Sequence, residues 1–331
     1  MVLTRNGTKK LNKNRSIFYR MINLQKLKYI REGNKQSWTA KIYNSVLYEI
    51  KLCWLFLGSD NIWAALTPGL LATIVVIKHQ ETLELTSMMF CLLLSLIYFW
   101  LYIYSFTLAN QIIGLDEDRI NKPYRPIVTN FVSIRGAKIR LLFISLTFIL
   151  YAFFLGLGHW AAIWVGTHLW YNKYGHSHWI TKNIVMMWIG TFVMLAAGWE
   201  IVQPMGAYSW RWALFVSTFV LLTNHIQDFR DIEGDRKIGR KILPIVFNER
   251  IVRLFSSVIF LISIPISIWL ISDFLTLSVF LYVFLVCVFG LQFLIALRII
   301  VYTNTKDDSK TYMLYTYLYC LYVIGGVFLK I

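Results

Sequence analysis

The chain has 331 residues, of which 57% are hydrophobic and 17% aromatic while only 15% are charged. That balance excludes a water-soluble globular domain and indicates a polytopic membrane protein. A formal charge of +16 would suit nucleic acid in a soluble protein, but here Lys and Arg collect at the amino terminus and in particular loops. This is the pattern of membrane orientation, so a lipid bilayer and no nucleic acid is expected as partner.

In chain order, residues 1–55 read as a basic cytosolic segment, with ten Lys or Arg against one Glu in 1–35 and no early apolar run of the signal-peptide kind. Residues 56–331 read as the transmembrane domain. A window of about 20 residues places spans at 60–77, 86–109, 139–157, 159–171, 184–201, 210–226, 254–271, 275–297 and 312–329. The fold class is therefore all-α, a membrane helix bundle of about nine helices, or eight if Gly156–His159 do not separate two spans. The basic loops 116–140 and 228–253 fall on the amino-terminal side, which the charge rule makes cytosolic. The four cysteines lie in or beside apolar runs without C-x-x-C spacing, suggesting neither zinc nor a disulfide framework.

Two acid-rich segments follow hydrophobic runs, one from Asn110 to Asp118 and one from Asn224 to Asp235. Aligning them matches spans one to four with five to eight, as a duplicated four-helix unit would. In the second segment, Asn224, Asp228, Asp231 and Asp235 would share one face of a helix. Like charges stacked there repel unless a cation neutralises them, and Mg²⁺, with its preference for oxygen ligands, would do so while bridging to phosphate oxygens. A solvated loop with scattered acids is the plainer alternative.

The first segment is less regular. Asn110 and Asp118 would align across two turns, but Gly114 stands between them and can break the helix, turning Asp116 or Glu117 inward. The stretch Lys122-Pro-Tyr-Arg-Pro126 then presents Lys122 and Arg125 from a stiff loop, and Arg suits bidentate phosphate binding.

These residues resemble the UbiA superfamily of intramembrane prenyltransferases. The second motif, Asp228-x-x-Asp231-x-x-Gly234-Asp235, is intact and runs into Gly239-Arg240-Lys-Ile-Leu-Pro244, similar to the family's G-R-x-T-L-P. The resemblance covers roughly 55–330 and implies a bundle around a central cavity in which the two motifs face each other and bind an isoprenyl diphosphate through Mg²⁺. It assigns metal binding to Asn110, Glu117, Asp118, Asp228, Asp231 and Asp235, of which all but Glu117 also count as catalytic. It assigns diphosphate contacts to Arg119, Lys122, Arg125, Tyr171, Lys182 and Arg240. Gly114 departs from the family pattern by removing an acid, and the resulting N-Q-x-x-G-x-x-E-D form resembles a divergent branch that includes membrane terpene cyclases.

The expected activity is therefore Mg²⁺-dependent ionisation of an isoprenyl diphosphate, followed by transfer to an aromatic or other lipophilic acceptor. The alternative is cyclisation of farnesyl or geranylgeranyl diphosphate, in which the chain's own double bonds capture the cation. A more distant alternative is an ion-coupled transporter, but acids crowded beside Arg and Lys would repel a coupling cation. The many Trp residues are as readily explained by interfacial belts. His176 and His178 read as loop histidines, and Glu200 is either a functional intramembrane acid or an interfacial one.

Overall fold

The computed structural model describes residues 37–271 and 275–330. The first 36 residues of the expected basic segment lie outside the described residues, and from Trp38 onward the segment is helix. In lipid, backbone polar groups must be satisfied within the segment, so long apolar runs become helices. The expected runs fall on helical segments, and 60–77 crosses the break between two of them.

Helix α1 (Trp38–Asn61) carries Gly58 at φ +61°, a conformation that costs a side-chain-bearing residue strain but suits glycine. The segments Trp38–Gly58 and Ile62–Lys78 meet at 75°. After a π-helical turn (Ile62–Leu66), α2 (Thr67–Lys78) enters the bundle. Helix α3 (Leu85–Ile113) is followed, across Gly114, by the short α4 (Leu115–Asn121). Then come α5 (Ile134–Phe154), which Ser133 caps by accepting from the Gly136 amide at 3.0 Å, and α6 (Gly158–Trp170). Two π-helical stretches, Tyr171–Gly175 and Thr181–Ile189, lead into α7 (Gly190–Glu200).

The chain continues through the second acid segment. Helix α8 (Ala207–Thr223) ends in a 3₁₀ segment (Asn224–Arg230), followed by α9 (Ile232–Lys237) and α10 (Leu243–Val246). Helices α11 (Glu249–Ile271), α12 (Val279–Val301) and α13 (Thr305–Ile324) complete the bundle. Neighbours pack as α3 with α5, α2 with α7, α11 with α12, and α13 with both α2 and the 3₁₀ segment.

By length and apolarity, five of these helices qualify as membrane crossings, namely Leu85–Ile113, Ile134–Phe154, Thr181–Glu200, Val279–Val301 and Thr305–Phe328, or six if the bent pair at the amino terminus is one crossing. Nine is thus a count of helices matching the apolar runs, and these dimensions do not by themselves make it a count of crossings. Helix α6 has only 13 residues and α8 only 17. Helix α11 opens on Glu249, Arg250 and Arg253. Outward-facing residues such as Phe143, Phe154 and Val286 are strongly exposed, as lipid-facing side chains are.

The second acid segment is not one continuous α-helix. It is 3₁₀ to Arg230 and turns at Asp231 before α9 begins. A 3₁₀ turn holds three residues, so Asp228 and Asp231 eclipse each other, while Asn224, four residues before Asp228, falls off that face, and the expected single α-helical face of four residues is replaced by a broken one.

Candidate functional site

A cavity of about 470 Å³ opens between the two acid segments, and α3, α6, α7 and α13 wall it. Its polar end is lined by Asn110, Glu117, Lys122, Arg125, Tyr171, Lys182, Asp231, Asp235 and Arg240, nine of the residues expected from the sequence. Asp118 and Asp228 stand directly behind this lining. Each is buried and bound to a cation that does line it, Asp118 to Arg125 and Asp228 to Lys182.

Gly114 sets the first half of this geometry. The helix ends there, with the Gly114 amide bonded to the Asn110 carbonyl at 2.8 Å, and restarts as α4. The restart separates three consecutive acids. Asp118 turns inward, and Arg125 Nη1 donates to both of its oxygens at 2.6 Å. Glu117 accepts from Arg240 Nη1 at 2.6 Å. Asp116 stays in solvent, paired at 2.6 Å with Arg119, and the two side chains are 81% and 61% exposed. Arg119 was expected among the diphosphate contacts, but the α4 register carries it away from the cavity.

The second segment meets the first across a close approach at Gly234. A β-carbon there would collide with the Asn121 side chain, which donates to the Asp231 carbonyl at 3.2 Å. Lys122 Nζ reaches Asp231 Oδ2 at 3.2 Å. Gly239 ends α9 at φ +74°, and the reversal turns Arg240 back so that Nη1 bonds Asp235 Oδ1 at 2.9 Å as well as Glu117. Cations of each segment therefore serve acids of both.

The charges are set by burial against pairing. Burial raises the Asp118 carboxyl above its ordinary value even though Arg125 and Lys122 oppose it. Burial acts the same way on Asp231, but Lys122, Arg230 and Lys182 outweigh it and hold that carboxyl low. Asp235 is pushed up to about 7, chiefly by burial, with Arg240 opposing and Glu117 adding to the rise. Such spread among neighbouring carboxyls is characteristic of functional sites.

Among the buried polar atoms with no hydrogen-bond partner are Asp228 Oδ2 and Asn224 Nδ2. Unpartnered buried polar atoms are costly, by about 1–3 kcal/mol each, and both lie where the two segments converge. Among the described residues no three His, Cys, Asp or Glu side chains form a ready-made metal cage. The acids expected to hold metal are instead neutralised one by one by cations.

Several residues of the site were not singled out from the sequence. Arg230 lines the cavity, pairs with Asp60 at 2.7 Å and lies over the Tyr312 ring at 4.3 Å. Tyr312, Tyr315 and Tyr319 form a stripe down α13 into the cavity. Their i, i+3, i+7 spacing was the available signal. Away from the acid segments the wall includes Tyr102, Phe106, Trp164 and Met194, and polar residues such as Asp60, Asn61, Gln227, Thr191 and Thr316 also line the cavity. Glu200 ends α7, at the far end from Lys182, where it accepts from Trp160 Nε1 at 2.7 Å and lies 3.4 Å from His159 Nε2.

A profile of the UbiA prenyltransferase family matches residues 65–319. The chain is 35% identical over 300 residues to somaliensene A/B synthase of Streptomyces somaliensis, covering 87% of this chain and 95% of that one. It is 37% identical over 247 residues to diterpene cyclase eriG of Hericium erinaceus, covering 70% and 76%. Polyprenyl transferase eriF of the same fungus is 30% identical over 289 residues, covering 84% and 94%. In fold the chain is similar to a UbiA homolog from Archaeoglobus fulgidus bound to GPP and Mg²⁺, with a TM-score of 0.61, 14% identity and coverage of 83% and 99%. With its apolar helices and two facing acid segments, this protein belongs to the UbiA prenyltransferase family and is an integral, multi-pass membrane enzyme.

Proposed function

We propose that the enzyme is a Mg²⁺-dependent terpene cyclase, which ionises an isoprenyl diphosphate and closes rings within the hydrocarbon chain. The observation that carries this reading is the division of one cavity into a charged end and an aromatic end. Among the described residues, the carboxylates that line the cavity are Asp60, Glu117, Asp231 and Asp235, and none is added by the aromatic end formed by Tyr102, Phe106, Trp164, Met194, Tyr315 and Tyr319. Aromatic faces stabilise a passing carbocation by about 0.5–2 kcal/mol each. Two of the relatives, the synthase and the diterpene cyclase, agree with it.

The residues fit Mg²⁺: the donors are hard carboxylate oxygens, and buried Asp228 Oδ2 has no protein partner. Asn110, Glu117, Asp118, Asp228, Asp231 and Asp235 would hold it. When bound, it stabilises negative charge developing on the diphosphate oxygens. Lys122, Arg125, Lys182, Arg230 and Arg240 add fixed positive charge at the same end, where a single well-placed donor contributes about 3 kcal/mol. The stacked and interlocked aromatic wall excludes water from the cation. With the basic loops on the cytosolic side, both acid segments face the cytosol.

Transfer to a lipophilic acceptor is the second reading, and the likeness to the polyprenyl transferase favours it. Purified protein in detergent, given Mg²⁺ and farnesyl or geranylgeranyl diphosphate without acceptor, separates the two. Cyclic hydrocarbon or alcohol is expected. Diphosphate release that begins only when an aromatic acceptor is added would refute cyclisation.

A further inference from the structure

On three of its helices the aromatic end of the cavity stops at one depth. On α3 the deepest lining residue is Tyr102, on α6 it is Trp164, on α13 it is Tyr319, and on α7 Gly190 lies one turn above the last, Met194. The depth can be read from three helices independently. Tyr102 lies eight residues from Asn110, Trp164 seven from Tyr171, and Tyr319 seven from Tyr312. At about 1.5 Å per residue each places the layer roughly 10–12 Å below the charged end.

This layer is locked more tightly than ordinary packing requires. The rings of Tyr102 and Trp164 stack at a centroid distance of 3.9 Å and an interplanar angle of 9°. Trp164 Nε1 donates to the Tyr102 carbonyl at 3.0 Å, and the Tyr102 hydroxyl donates to the Gly190 carbonyl at 2.8 Å. A β-carbon on Gly190 would come within 2.6 Å of Trp164 Cζ3. The indole thus occupies the space that a side chain at 190 would need. The rings of Phe106 and His168 also lie against it, at centroid distances of 5.9 and 5.3 Å, which limits its room to retreat.

We infer that the Tyr102–Trp164 stack, seated on Gly190, is the end-stop that sets the length of isoprenyl chain the enzyme accepts. A diphosphate anchored at the charged end extends its hydrocarbon toward this layer, and a chain longer than the chamber meets the Tyr102–Trp164 pair. The inference rests on the cavity being the prenyl site proposed above, but it does not depend on whether the chain then cyclises or is transferred.

Two substitutions should act in opposite directions. Trp164→Ala removes the stop, and Gly190→Ala pushes the indole toward the chamber. The measured quantity is the ratio of kcat/KM for geranylfarnesyl over farnesyl diphosphate, read as diphosphate release with Mg²⁺. Relative to the unsubstituted enzyme, Trp164→Ala is expected to raise the ratio and Gly190→Ala to lower it, each by about tenfold or more, the scale on which an apolar pocket discriminates. Trp164→Phe, which retains a ring, should fall between. It also serves as the reading if Trp164→Ala fails to give a monodisperse protein in detergent. Ratios unchanged in these variants, or moved in the same direction, would overturn the end-stop. Product analysis is separate: a shifted ratio with acyclic, acceptor-dependent product would refute cyclisation alone, and an unshifted ratio with cyclic product would refute the end-stop alone.

Discussion

In the first acid segment Gly114 ends one helix and lets another begin, and three consecutive acids part: Asp116 to solvent, Glu117 to Arg240, and Asp118 to burial against Arg125. In the second, a 3₁₀ turn and then α9 keep Asp228, Asp231 and Asp235 all inside. One segment selects its acids by a break and the other by spacing. Neither is complete alone, because Lys122 of the first serves Asp231 of the second, and Arg240, downstream of the second, serves Glu117 of the first. The site exists only where the two halves dock.

The largest expected effect tests the segment built by spacing. Asp228→Asn keeps the shape and can still accept from Lys182, but it removes the charge, so diphosphate release should fall about a thousandfold while circular dichroism stays that of the folded protein. Retained turnover would take Asp228 out of the chemistry. Next comes the bridge between the segments. Arg240→Ala removes the bonds to both Glu117 and Asp235, leaving Glu117 only Lys122 at 4.0 Å, and turnover should fall about a hundredfold; steady-state diphosphate release checks it, and a loss confined to KM would restrict Arg240 to substrate binding.

A smaller effect follows from Asp235. Its carboxyl titrates at about 7 when folded against 3.8 as the ordinary value. The folded state therefore holds this proton more tightly than the unfolded state does. The resulting stability is fully present below the ordinary value and is lost as pH rises to about 7. Asp231, held low, works in the opposite sense only under strongly acid conditions. In metal-free detergent solution the melting temperature should decline toward neutral pH, and Asp235→Asn should flatten that decline; an unchanged slope would contradict the burial argument. The smallest effect is expected for Arg119→Ala. Its exposed pair with Asp116 lies outside the cavity, so turnover should stay within about twofold of the unsubstituted enzyme. A large loss would restore Arg119 to the diphosphate site and narrow the difference between the segments.

Much of this was legible in the sequence because charge in a hydrophobic chain is conspicuous. The acids and cations of the two motifs, the all-helical class and the break at Gly114 could all be read from it. Which of Asp116 and Glu117 turns inward, and the outward turn of Arg119, could not, since they depend on the register in which α4 restarts. Arg230 was hidden among the basic residues that orient any membrane protein, and its role shows only when Asp60, 170 residues away, meets it. The stripe Tyr312, Tyr315 and Tyr319 was lost among 19 tyrosines. The pairing of Trp164 with Gly190 has no sequence signature, because it joins two helices through the lack of a β-carbon.

The most direct test is a mass balance in the absence of acceptor. Detergent-purified enzyme is incubated with Mg²⁺ and geranylgeranyl diphosphate, and released diphosphate is compared with ring-containing product by gas chromatography and mass spectrometry. One cyclic terpene per diphosphate, abolished by Asp228→Asn, is the expected result. Diphosphate retained until a lipophilic acceptor is supplied, with all product bonded to that acceptor, would contradict it.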